Sequence, residues 1–98
     1  MLSVVAVTYD GKKIAVLTAS GSGSVGAGST GTVSVSLPLG PLAKIMSVLG
    51  ISSVSVSGGV AYIVGISATP SRVDVALYNP GASAVTYTVT VTVTVLGI

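Results

Sequence analysis

The closing segment "VTYTVTVTVTVLGI", from Val85 to Ile98, alternates apolar and hydroxylic positions almost without a break. Successive side chains of an extended chain point to opposite faces. Val85, Tyr87, Val89, Val91, Val93 and Val95 therefore share one face and are the candidate core. Thr86, Thr88, Thr90, Thr92 and Thr94 share the other and are the candidate assembly interface. Valine and threonine suit a pleated backbone on both faces because their branched Cβ packs well there. Shorter stretches of the same character predict strands at 2–9, 13–19, 32–37, 51–57, 60–66, 72–79 and 84–96. About seven strands punctuated by Gly, Pro and Ser predict an all-β chain, a single antiparallel β-sandwich over residues 1–98, immunoglobulin-like or a reduced jelly roll.

The turn chemistry agrees with that reading. Asp10-Gly11 is a pair that favours a tight primed turn and predicts a hairpin between the first two strands. Ser57-Gly58-Gly59-Val60 predicts a second hairpin and Asn79-Pro80-Gly81 a third. Two stretches break the alternation. "SGSGSVGAGSTG", residues 20–31, is the composition of a flexible loop. In "GPLAKIMSVLG", residues 40–50, Leu42, Ile45, Met46 and Leu49 fall at i, i+3, i+4 and i+7 between Pro41 and Gly50. That spacing predicts one short helix near 41–49, capping an open end of the sandwich or presenting an amphipathic patch to a membrane or neighbour.

The length of the terminal strand matters as much as its pattern. Twelve or so residues span ~40 Å, more than any strand predicted to pair with it, so part of it is expected to project or to pair beyond its own domain. Between Ala84 and Leu96 there is no Lys or Pro to blunt an open edge. The strand is either central in its sheet or covered by another chain, and cross-strand Thr contacts suit the second case too.

Composition sharpens this picture. Half of the 98 residues are hydrophobic and only 6% are charged, with a net charge of +2, so the surface must be built from Ser, Thr and Gly and resists self-association poorly. The mean hydropathy is positive, yet no run approaches the ~18 apolar residues of a spanning helix, and no transmembrane segment is expected. "MLSVVAVTYDGKK" has no basic segment before its apolar stretch, which predicts cytoplasmic synthesis without a signal peptide. Scarce Asn, Gln and Cys fit a thermophilic source, although the usual Lys and Glu networks are missing.

Candidate chemistry is thin. Asp10 and Asp74 are the two carboxylates, one in a predicted turn and one opposite Val73 and Val75 on a strand, and nothing in the sequence brings them together as an acid and base. There is no His to activate a Ser, leaving chance pairings with Lys12, Lys13 or Lys44. With no Cys, His or Glu, no metal and no cofactor are expected. The Gly/Ser segment lacks the Lys-Ser/Thr ending and following helix of a phosphate loop. Four scattered cations do not make a specific nucleic-acid stripe. Tyr62 and Tyr87 read as core or interface residues, while Tyr9 and Tyr78 sit where strands meet turns; exposed aromatics in a row would make a carbohydrate platform.

The segment "RVDVALYNPGASAVTYTVTVTVTV", residues 72–95, resembles the closing strand pair of small β-sandwich virion structural proteins of viruses infecting thermophilic archaea or bacteria. The resemblance implies a non-enzymatic structural subunit that self-assembles or docks on a larger particle, as a capsid, turret, decoration or fibre component located in the virion. Its partners would be copies of itself or other structural subunits, with no specific nucleic acid and no favoured small-molecule ligand. A secreted or cell-surface immunoglobulin-like adhesion or pilus module is the alternative, and a small carbohydrate-binding domain the next.

Overall fold

The computed structural model describes residues 2–7, 10–40 and 42–98, with side chains from residue 6 onward. Tyr9, the expected end of the first strand, and Pro41, the expected helix start, lie outside the described residues. The chain forms seven strands: β1 (Leu2–Val7), β2 (Lys13–Val25), β3 (Thr30–Ser36), β4 (Ile45–Ser57), β5 (Tyr62–Ala68), β6 (Arg72–Tyr78) and β7 (Val85–Gly97). They make two antiparallel sheets, ordered β1-β2-β7-β4 and β3-β6-β5. Among the described residues there is no helix, and so none long and apolar enough to cross a membrane.

One apolar core joins the two sheets. From the four-stranded sheet come Ala15, Leu17 and the alternate residues Tyr87, Val89, Val91, Val93 and Val95, all fully buried. From the three-stranded sheet come Val33, Val35, Val73, Val75 and Leu77. A fully buried valine or leucine is worth ~1.5–3 kcal/mol relative to exposure, so this alternation is the main force fixing register, because a slip by one residue would turn it outward. The link from β3 to β4 covers one end, where Leu37 and Leu42 are buried and the N–H groups of Ala43 and Lys44 donate to the carbonyl of Ile98.

Four expectations are corrected. The helix near 41–49 is replaced by the start of β4, and the cause is three successive bulges in its ladder with β7, at Ile45/Ser47, Val48/Gly50 and Ile51/Ser53. Each bulge inserts one residue, so the positions paired with inward residues of β7 are Ile45, Val48, Ile51, Val54 and Val56, a spacing near three that imitates a helical stripe. Leu42 and Ile45 are buried, whereas Met46 and Leu49 are bulge residues exposed to solvent. Second, the Gly/Ser segment is not a loop through its length: Ser20–Val25 continues β2, paired residue by residue with β7, and the turn is confined to 26–29. Its serines face outward with Thr86, Thr88 and Thr90, and its glycines face in with the buried residues of β7.

Third, the turns after Ser57 and Asn79 do not close hairpins. Each carries the chain from one sheet to the other, and the hairpins are β1–β2 and β5–β6. The first hairpin has Gly11 at φ +83° and an ion pair between Lys12 and Asp10 of 2.7 Å at its tip. Fourth, β7 is no longer than its neighbours. β2, β4 and β7 are each 13 residues long, and β7 lies between the other two. β2 pairs it along its whole length and β4 from Thr88 to Gly97, so no part of it projects.

Candidate assembly site

The hydroxyl ladder of β7 forms the middle of a broad polar face. Thr86 and Thr88 are exposed, while Thr90, Thr92 and Thr94 are half-buried by their neighbours. Hydroxyl pairs bridge β7 to β2: Thr92 to Thr18 at 3.2 Å, Thr90 to Ser20 at 2.8 Å and Thr88 to Ser22 at 3.2 Å. Ser53, Ser55 and Ser57 of β4 are register partners of Thr92, Thr90 and Thr88 on the other side. The face is uncharged and internally hydrogen-bonded. Val85 is half-buried, and Tyr87, Val89, Val91, Val93 and Val95 are buried on the opposite face. The Tyr87 hydroxyl donates to the carbonyl of Val60 at 2.8 Å, which ties the β4–β5 crossing to the core.

The two sheets have unlike margins. On one flank β3 passes against β2 so closely that a Cβ on Gly21 would lie 2.5 Å from the Ser34 carbonyl oxygen, and one on Gly23 would lie 3.1 Å from the Val33 side chain. Above this contact, the buried Asn79 acts as a clamp. Its Nδ2 donates to the carbonyls of Val25 at 3.1 Å and Ser83 at 2.9 Å, and its Oδ1 accepts from the Gly81 N–H at 2.9 Å. Asn79 was read from the sequence only as a turn residue; nothing in its local pattern marks the distant carbonyl of Val25.

The other flank is open. The inward residues of β4 are only half-buried beyond Ile45, and every residue of β5 is exposed. Ile63 and Ile66 pair with the core residues Leu77 and Val75, yet remain 44% and 43% exposed. Val64, the bulge residue between Ile63 and Gly65, is 57% exposed. Tyr62 is likewise exposed and not a core residue. No charged residue occurs between Lys44 and Arg72, a stretch that includes all of β4 and β5. The margin of β5 is thus an apolar, uncharged edge with one free row of backbone donors and acceptors.

Both carboxylates are accounted for by local partners. Asp74, on the outer face of the three-stranded sheet, accepts from the Ser34 hydroxyl at 2.7 Å and pairs with Arg72 Nε at 3.1 Å. The Ser34 hydrogen bond is the largest influence holding its carboxyl below the ordinary aspartate value; desolvation opposes it, and Arg72 reinforces it. Asp10 lies in the β1–β2 hairpin and Asp74 on β6, and among the described residues no group of three or more His, Cys, Asp or Glu could hold a metal. No family model, curated protein or solved structure matches this chain.

Proposed function

We propose that this protein is a non-enzymatic structural subunit, a seven-stranded β-sandwich that associates with its own copies through the margin of β5 and serves as a component of a virion shell, decoration or fibre. The observation that carries the reading is the state of β5: exposed along its whole length, rich in Tyr, Ile and Val, and without a charge or proline. Natural proteins blunt such edges or cover them. A second copy is the cover favoured by chemistry, because an uncharged apolar edge is complementary to itself, and antiparallel pairing about a twofold axis presents the same residues from both sides. Pairing of β5 with its copy would extend the three-stranded sheet to six strands and bring Ile63 and Ile66 of each subunit toward their counterparts.

The strand order also narrows the kind of sandwich. In the constant-type immunoglobulin arrangement the fifth strand joins the four-stranded sheet and the seventh the three-stranded one. Here those two are exchanged, which favours a different Greek-key-like arrangement over an immunoglobulin domain. A surface or pilus-like module is the second reading, favoured by the same free edge, since strand addition is a common mode of subunit joining there.

Absolute mass by light scattering over a roughly hundredfold concentration range tests the proposal. The expected result is a rise from the 9.4 kDa monomer to a twofold species, with Val64→Lys remaining monomeric at an unchanged melting temperature. A wild-type monomer at every concentration would overturn it.

A further inference from the structure

The outer face of the three-stranded sheet holds a second surface with different chemistry. Register places Tyr62 beside Tyr78, Gly65 beside Ala76 and Ser67 beside Asp74 as successive outward pairs of β5 and β6. Tyr62 and Tyr78 are 59% and 36% exposed, so two aromatic rings stand next to each other at one end of the row. At the other end is the Asp74 carboxylate, oriented by Ser34 and Arg72. Each of its oxygens accepts one of these bonds and retains capacity for another. Between the two ends lies a shallow hollow of about 380 Å³, bordered by Thr32, Ser67 and Asp74 and floored by Gly65 and Ala76. Outward pairs recur every ~6.8 Å along a strand, so the aromatic end and the carboxylate are about 13 Å apart.

Gly65 makes the hollow without being demanded by the backbone. Its φ is not in the left-handed region, and an added Cβ would meet only the Ala76 methyl at 3.8 Å, an ordinary contact. A larger residue would fit the fold and pack better in a strand, yet it would fill the floor.

From this juxtaposition we infer that the outer face of the three-stranded sheet binds a neutral oligosaccharide, one pyranose ring against the tyrosine pair and a neighbouring ring in the hollow over Gly65. A pyranose has apolar C–H faces and a rim of hydroxyls. The apolar face of one ring suits the tyrosine pair, and the hydroxyls of the next suit an ordered carboxylate flanked by Thr32 and Ser67. Anionic ligands are disfavoured because the nearby Arg72 is already paired with Asp74. An apolar ligand would find no enclosing wall. The surface does not depend on pairing at the β5 edge, which lies in the plane of the sheet and not on its face.

The test is an amide and side-chain NMR titration of the intact protein with three separate probes: maltotriose, cellotriose and mannotriose. With at least one of them, signals of Tyr62, Tyr78, Gly65 and Asp74 move together and saturate with a Kd of about millimolar. Tyr62→Ala and Asp74→Asn each weaken that binding by roughly tenfold or more. Gly65→Val abolishes it while leaving the melting temperature unchanged or raised, which a merely structural role for Gly65 would not produce. Absence of shifts with all three sugars at about 50 mM, or shifts that persist in Gly65→Val, would overturn the inference.

Discussion

Where β2 passes β3, the inward residues shrink to Ala19, Gly21 and Gly23, and the two backbones touch. Where β4 and β5 form the opposite margins, the inward residues beyond the buried Ile45 include Val48, Ile51, Val54, Ile63 and Ile66, and none of these is buried. Large apolar residues thus occupy the open flank and the smallest residues the closed one. Close-packed interiors are set by shape as well as by hydrophobicity, and this molecule seals one side by removing side chains. On the other side it retains apolar side chains that its own chain does not cover. Closure of the glycine flank is a matter of stability; exposure of the β5 flank is the feature on which the proposed association rests.

Substitutions on the two flanks should therefore differ in kind. The largest effect is expected for Gly21→Val, whose side chain would overlap the Ser34 carbonyl. A cost of about 3 kcal/mol or more corresponds to a fall in Tm of roughly 15 °C, read by circular dichroism. A fall of a few degrees would mean that β3 retreats easily and that the flank is not sealed by backbone contact. Next comes Asn79→Ala, which strands two carbonyls and one N–H at a cost of about 2 kcal/mol. A near-neutral result in the same melt would mean that water replaces the clamp.

A matched pair then sharpens the contrast across one cross-strand contact. Val75 and Ile66 are register partners, one fully buried and one half-exposed. Val75→Ala should cost about 2 kcal/mol and Ile66→Ala, measured in dilute monomer, less than about 1 kcal/mol despite removing more atoms. Equal costs in denaturant titrations would show that the β5 margin is not open. The smallest effect concerns pH. The Asp74 carboxyl is held below its ordinary value, so its contribution is fully present above about pH 4 and is lost as pH falls through the lowered folded value. Tm should be flat from about pH 7 to pH 5 and decline at lower pH, with part of that decline missing in Asp74→Asn.

How much of this was legible depends on whether the signal is local. The alternation in β7 is complete within one strand, and its inward and outward sets could be read directly. The strand Ser20–Val25 was hidden because glycine carries no hydrophobic signal: Gly21 and Gly23 alternate with Ser20, Ser22 and Ser24 in size alone. In β4 the three bulges change a period of two into one near three, and a pattern reader that knows only regular strands assigns a helix. The turns after Ser57 and Asn79 have hairpin composition, but whether the next strand pairs or crosses is decided by the whole sheet order. Exposure of β5 is topological in the same way. "YIVGI" reads as a core strand, and only its place beside β6 with no neighbour beyond leaves it uncovered.

The bulges of β4 bear on how many partners a subunit can hold. A strand whose pairing shifts three times presents an irregular row of backbone groups outward, so it cannot template a continuous ladder with another chain. β1 carries a bulge between Val4 and Ala6, and β3 lies against β2. The margin of β5 shifts register once, between Ile63 and Gly65, and its ladder with β6 is regular from Gly65 to Ala68. Under the pairing proposed at β5, a twofold pair would be the unit from which a shell or fibre is built. Such a coat would need its next contact from a face and not from an edge, and the uncharged hydroxyl surface over β2, β7 and β4 offers one.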